Sequence, residues 1–119
     1  MHFMDLASFI EIDMRCHTLL SIGENGCRDL DFLRCHVNTT LKDHVIRSLS
    51  VISPAKPNCQ HECFKEEHCN SYNLGKQLGQ LRTCELNDAD HLSDPGDLVP
   101  SEGAEYCPIK VRKCTLKVT

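Results

Sequence analysis

Four cysteines spaced Cys59-x3-Cys63-x5-Cys69-x14-Cys84 constrain this chain more than any other feature. The first two stand about one helical turn apart, so a helix there presents both sulfurs to one partner surface. With 9 cysteines in 119 residues, the chain has the density of a short disulfide scaffold from an oxidising compartment. Its aromatic supply is thin, at 4 Phe, 2 Tyr and no Trp. Cross-links compensate for such a core in small extracellular domains.

Charge excludes several partners. A net charge of −4, from 13 Lys and Arg against 17 Asp and Glu, offers no field for binding nucleic acid phosphates. No stretch approaches the roughly 20 apolar residues that span a bilayer. At the N-terminus, Asp5, Glu11 and Asp13 interrupt the apolar stretch from Phe3 to Ile12, which is not the pattern of a signal peptide. With this cysteine usage, the expectation is a truncated or misplaced start, and hence a fragment of a larger multidomain protein.

Residues 1–40 carry Cys16, Cys27 and Cys35 without a clear period and read as an irregular N-terminal segment. Residues 44–52 alternate, with Val45, Leu49 and Val51 on one face and Ser48 and Ser50 on the other, which predicts a strand. Prolines break it. Asn58 then stands as N-cap of a helix over residues 59–68, whose apolar stripe is little more than Cys59, Cys63 and Phe64. Such a helix needs its cysteines as its attachment to the core. Strands are expected at residues 70–74 and 82–87, joined by a glycine-bearing turn over residues 75–80. Residues 88–102 read as a long surface loop, and residues 103–109 as a closing strand around Tyr106 and Cys107.

Helical geometry narrows the cysteine pairing. Cys59 and Cys63 point toward a common surface and are poorly placed to bond each other. Cys69 follows the helix at once and lies nearer Cys63, which gives the nested pairs Cys63 with Cys69 and Cys59 with Cys84. By chain-entropy arguments the two loops contribute about 2.4 and 3.5 kcal/mol.

The runs Cys59-Gln-His-Glu-Cys63, Cys69-Asn-Ser-Tyr-Asn-Leu and Thr83-Cys84-Glu-Leu-Asn, preceded by His44-Val-Ile-Arg-Ser-Leu-Ser-Val, resemble the PAN/apple module of animal extracellular proteins. The resemblance covers residues 41–109 and leaves residues 110–119 as a tail. It implies an α+β fold, a curved antiparallel sheet with one short helix packed across it, stabilised by disulfides. It also implies a third bridge joining the module's ends. Cys107 matches its C-terminal member, and Cys27 is the preferred partner over Cys35 because Cys27-Arg-Asp-Leu-Asp-Phe is more similar to the family's opening segment.

What the resemblance implies for function is an extracellular or cell-surface interaction module that binds protein or carbohydrate and has no chemistry of its own. Loops are the natural binding positions. Lys76 and Arg82 about the 75–80 turn are candidate ligand contacts, with the acidic 88–102 loop beside them. A glycan ligand would favour these two with Lys110, Arg112, Lys113 and Lys117. Asn38-Thr39-Thr40 is an N-glycosylation sequon ahead of the first predicted strand.

Other chemistries are weaker. A reduced, intracellular zinc-binding adaptor built on Cys59, His61, Cys63, His68 and Cys69 is the alternative reading, although no Cys-x2-Cys pair occurs. Asp88-Ala-Asp90-His-Leu92 begins like a calcium loop but has leucine where a third ligand belongs. Gly75-Lys-Gln-Leu-Gly79 lacks the ending of a phosphate loop. No nucleophile signature appears, so neither an enzyme nor a cofactor is expected.

Overall fold

The computed structural model describes residues 10–12, 28–113 and 116–118. Its elements in chain order are β1 (Ile10–Ile12), β2 (Arg28–Phe32), β3 (His36–Leu41), β4 (Val45–Ile52), α1 (Ala55–Lys65), β5 (Ser71–Leu74), β6 (Leu81–Asn87), a 3-10 turn (Pro95–Asp97), β7 (Leu98–Lys113) and β8 (Leu116–Val118). Two compact units result. One is Phe32–Lys110, which takes in β3 from the segment read as irregular; the other joins Met1–Asp31 to Val111–Thr119. In the second unit β1 and β8 pair antiparallel, Ile10 opposite Val118, and Arg112 forms an ion pair with Asp31.

The main sheet is six-stranded, in the order β2-β7-β5-β6-β4 with β3 also paired to β7. It curls, and the one α-helix among the described residues covers one face. This is the α+β arrangement that the resemblance implies.

Helix α1 begins at Ala55 rather than at residue 59, and Asn58 is not its cap. Pro54 occupies the N-cap position, and Pro57 falls within the first turn, where a missing N–H leaves nothing unpaired because no helical acceptor exists there. Asn58 instead donates its side-chain Nδ2 to Ile52 O at 2.9 Å, tying the helix start back to the end of β4. The helix stops at Lys65, short of residue 68. Its buried residues are Ala55, Cys59 and Cys63, a single stripe at one-turn intervals. Cys59 is bonded to Cys84 of β6 and Cys63 to Cys69, the nested pairs expected from helical geometry.

The third bridge corrects an expectation. Cys107 is bonded to Cys35, not to Cys27. Cys35 sits immediately ahead of β3, where His36 lies opposite Tyr106 in the β3–β7 register, so strand pairing itself delivers Cys35 to Cys107. Cys16, Cys27 and Cys114 lie outside the described residues.

Strand β5 is the centre of the sheet, flanked by β6 and β7, and all four of its residues are buried. Tyr72 and Leu74 face the helix, where Tyr72 OH accepts from Gln60 Nε2 at 2.9 Å. Ser71 and Asn73 therefore lie buried on the opposite face, and each needs partners. Asn73 meets Leu41 of β3 as a strand would: its Oδ1 accepts from Leu41 N at 3.0 Å and its Nδ2 donates to Leu41 O at 2.8 Å. The same Nδ2 lies 3.1 Å from Glu85 Oε1. Asn87 Nδ2 donates to Ser71 Oγ at 3.0 Å, and that hydroxyl donates to Ala89 O at 2.7 Å.

Two local irregularities explain the remaining differences. A register shift between Val45 and Arg47 moves the start of β4 out of the simple alternation, since an extra residue reverses which face follows. Val45 is 40% exposed while Val51 is 6% exposed. Strand β7 also starts at Leu98, inside the stretch read as loop. Leu98, Val99 and Pro100 pair with Leu41, Thr40 and Thr39, but Val37 already pairs with Glu105. Residues 101–104 thus bulge out of the β3–β7 ladder.

Replacing Asn73 with Leu is expected to lower stability by about 2–4 kcal/mol, since it leaves the buried N–H and C=O of Leu41 without this partner. Urea unfolding with the disulfides intact would measure this; a change below about 0.5 kcal/mol would show that the amide is dispensable.

Candidate functional site

The sheet face opposite the helix holds a cleft of about 490 Å³. The β3–β4 turn contributes Leu41, Lys42, Asp43 and Val45, β5 and its turn contribute Asn73, Leu74, Gly75 and Lys76, β6 contributes Thr83 and Glu85, and β7 contributes Ser101, Glu102 and Ala104. Its size lies within the range of sites that take small ligands or a protruding side chain. The floor is built from Leu41 and Asn73, each 1% exposed. The Asn73 amide fixes that floor by bonding Leu41 on one side and Glu85 on the other. Around it stand two lysines, Lys42 and Lys76, and three carboxylates, Asp43, Glu85 and Glu102. The mixture suits a ligand with donors, acceptors and both signs of charge. It does not resemble a purely basic groove for a polyanion.

The two candidate ligand contacts, Lys76 and Arg82, have different surroundings in the fold. Lys76 lines the cleft and packs its aliphatic stem against Gly103. Arg82 is on the helix side, 13% exposed, where Nη1 lies 3.0 Å from Glu105 Oε1. Its Nε donates to Gly75 O at 2.7 Å and its Nη2 to Gly103 O at 3.4 Å. Lys56 of the helix reaches the same carboxylate at 3.2 Å. Burial pushes the Glu105 carboxyl up, but the hydrogen bonds from Arg82 and Lys56 outweigh it and hold the pKa below the usual carboxylate value. Arg82 thus fixes the turn that presents Lys76. Lys110 is exposed, and Arg112 is committed to Asp31.

Beside the cleft, a histidine clasp holds the 88–97 loop. His44 Nε2 is 2.8 Å from Asp97 Oδ2 and 3.7 Å from Asp94 Oδ2, and Nδ1 is 3.9 Å from Asp88 Oδ1. The hydrogen bond to Asp97 raises the imidazole pKa above its ordinary value; partial burial opposes this, and the charges of Asp94, Asp97 and Asp88 add to it. Nothing local in the chain brings Asp94 and Asp97, which lie 50 and 53 positions away, to His44, so the clasp has no signature in the sequence. Midway along the loop, His91 N donates to Tyr106 OH at 2.8 Å, and the rings of His36, His91 and Tyr106 stand 5.6 Å apart in each pair.

The zinc reading is overturned. Cys59, Cys63 and Cys69 are all in cystines, and an oxidised sulfur offers no thiolate to a metal. The start of the calcium-like stretch is equally committed, with Asp90 Oδ1 accepting from Leu92 N and Ser93 N at 3.0 Å each. Among the described residues, His44, Asp94 and Asp97 place one ligand atom each within 4.8 Å of one another, but His44 Nε2 is already held by Asp97.

A short helix bolted by cystines to a curled sheet, with the sheet's ends closed by a further cystine, defines a disulfide-stapled α+β module. The PAN domain profile matches residues 33–111, so the chain belongs to the PAN domain family. No curated protein and no solved structure matches the chain. PAN domains are disulfide-rich modules typical of extracellular interaction and are generally non-catalytic. Among the described residues no helix is long and apolar enough to cross a membrane.

The raised pKa makes the clasp acid-favoured. Because the folded-state value lies above the unfolded one, the contribution of His44 to stability is fully present below the ordinary imidazole pKa of about 6.5 and is lost as pH rises through the folded value. An NMR titration should find His44 titrating above the ordinary histidine range, and Asp97→Asn should lower that value. A midpoint at or below the ordinary value would show that the clasp is not formed.

Proposed function

We propose that this chain is a non-catalytic, extracellular or cell-surface interaction module of a larger protein, and that its ligand is a protein segment or carbohydrate seated in the cleft opposite the helix. The observation that carries this reading is a cleft of mixed charge whose floor is fixed by the Asn73 network and which no cystine occupies. Carboxylates outnumber lysines around it and it contains no aromatic ring, which favours a peptide or a neutral sugar over a sulfated polysaccharide. Lys76 acts in this reading as a direct contact. Arg82 acts by holding Gly75 and Gly103, the two backbone positions that flank Lys76.

Binding of labelled, disulfide-intact protein to intact animal cells would test the assignment. Lys76→Glu and Glu102→Lys should each weaken binding about tenfold, which is about 1.4 kcal/mol, while unfolding midpoints stay close to wild type. Prior treatment of the cells with glycosidases or with protease separates the two ligand classes. Binding that ignores both charge reversals would place the ligand elsewhere on the domain.

A further inference from the structure

Asn38-Thr39-Thr40 is the single N-glycosylation sequon of the chain, and the fold leaves its acceptor atom accessible. Asn38 is exposed and adopts a left-handed backbone conformation, φ 54°, where the β3–β7 register breaks. Asparagine tolerates that conformation better than most residues. Its Oδ1 accepts from Gly103 N at 3.0 Å. A backbone N–H can only donate, so the atom facing it must be the amide oxygen, and Nδ2 is directed to the other side. The carbonyl half of the amide serves the fold while the nitrogen half is left for chemistry. Its neighbour Val37 is a large aliphatic residue, 68% exposed on β3, which an attached sugar would shield from water.

We propose that Asn38 carries an N-linked oligosaccharide, an inference that rests on the extracellular reading above. The donor would be a lipid pyrophosphate-linked oligosaccharide. The bond from sugar C1 to the pyrophosphate oxygen breaks, its electron pair leaving on phosphate, while Nδ2 forms the new C1–N bond and releases one proton. Modification at nitrogen retains Oδ1, so the Gly103 hydrogen bond survives in the product. Gly103 also lies against Lys76, which puts the root of the oligosaccharide at one rim of the cleft.

The test is to express the full chain behind a cleavable secretion leader in cultured animal cells and map peptides recovered from the medium. Treatment with a peptide N-glycosidase should remove a mobility shift and convert residue 38 from Asn to Asp in most molecules. Thr40→Ala should abolish the shift and Thr40→Ser should keep it. Asn38→Asp, which retains an oxygen for Gly103 N–H, should be secreted without the shift. Secreted protein with the Cys35–Cys107 bridge formed but Asn38 unmodified would overturn the proposal and leave the extracellular reading standing. Retention in the cell with reduced cysteines would overturn both.

Discussion

The bond between Cys59 and Cys84 is the contact on which the architecture depends, because helix α1 offers the sheet only a narrow apolar stripe. A helix of its length is marginal in water without tertiary support. Ordinary globular helices obtain that support from a broad apolar stripe. Here the stripe is Ala55, Cys59 and Cys63, all small side chains. The second cystine, Cys63 to Cys69, turns the chain back at the helix end and delivers it directly into β5. Helix and central strand are therefore placed by one continuous cross-linked segment.

The two faces of the sheet use different physics. On the helix side sulfur, Tyr72, Leu74 and Leu86 form a dry layer, all fully buried. On the other side buried amides and hydroxyls do the joining, from Leu41 through Asn73 and Asn87 to Ser71. A hydrogen-bonded layer of this kind is directional, so it specifies one arrangement of strands. It also leaves polar atoms at the floor of a concavity, where a ligand can be recognised.

Sequence legibility followed the range of the interactions. The strand at 44–52, the helix and the nested cystines were readable because their signals lie within a turn or an alternation of each other. Strand β3 was not, since its six residues, His36–Leu41, become a strand through pairing with β7 and through the side chain of Asn73. The same cause hid Leu98 to Pro100 and misassigned the partner of Cys107. For the site, Lys76 was found as a turn cation, whereas the ion pair of Arg82 with Glu105 joins residues 23 positions apart. Asn73 was missed, although one clue was present: its alternation with Tyr72 and Leu74 sets a polar side chain on the second face of a central strand.

The bridge from Cys35 to Cys107 has a mechanical meaning. It clamps the incoming and outgoing strands across a Cα separation of 4.2 Å, although the two residues are 72 positions apart in the chain. Tension applied ahead of Cys35 and beyond Cys107 would pass through the covalent S–S bond and bypass everything between them. The helix, the amide network and the cleft would bear none of that load. Pulled from those two points, the domain would keep the cleft in its resting shape.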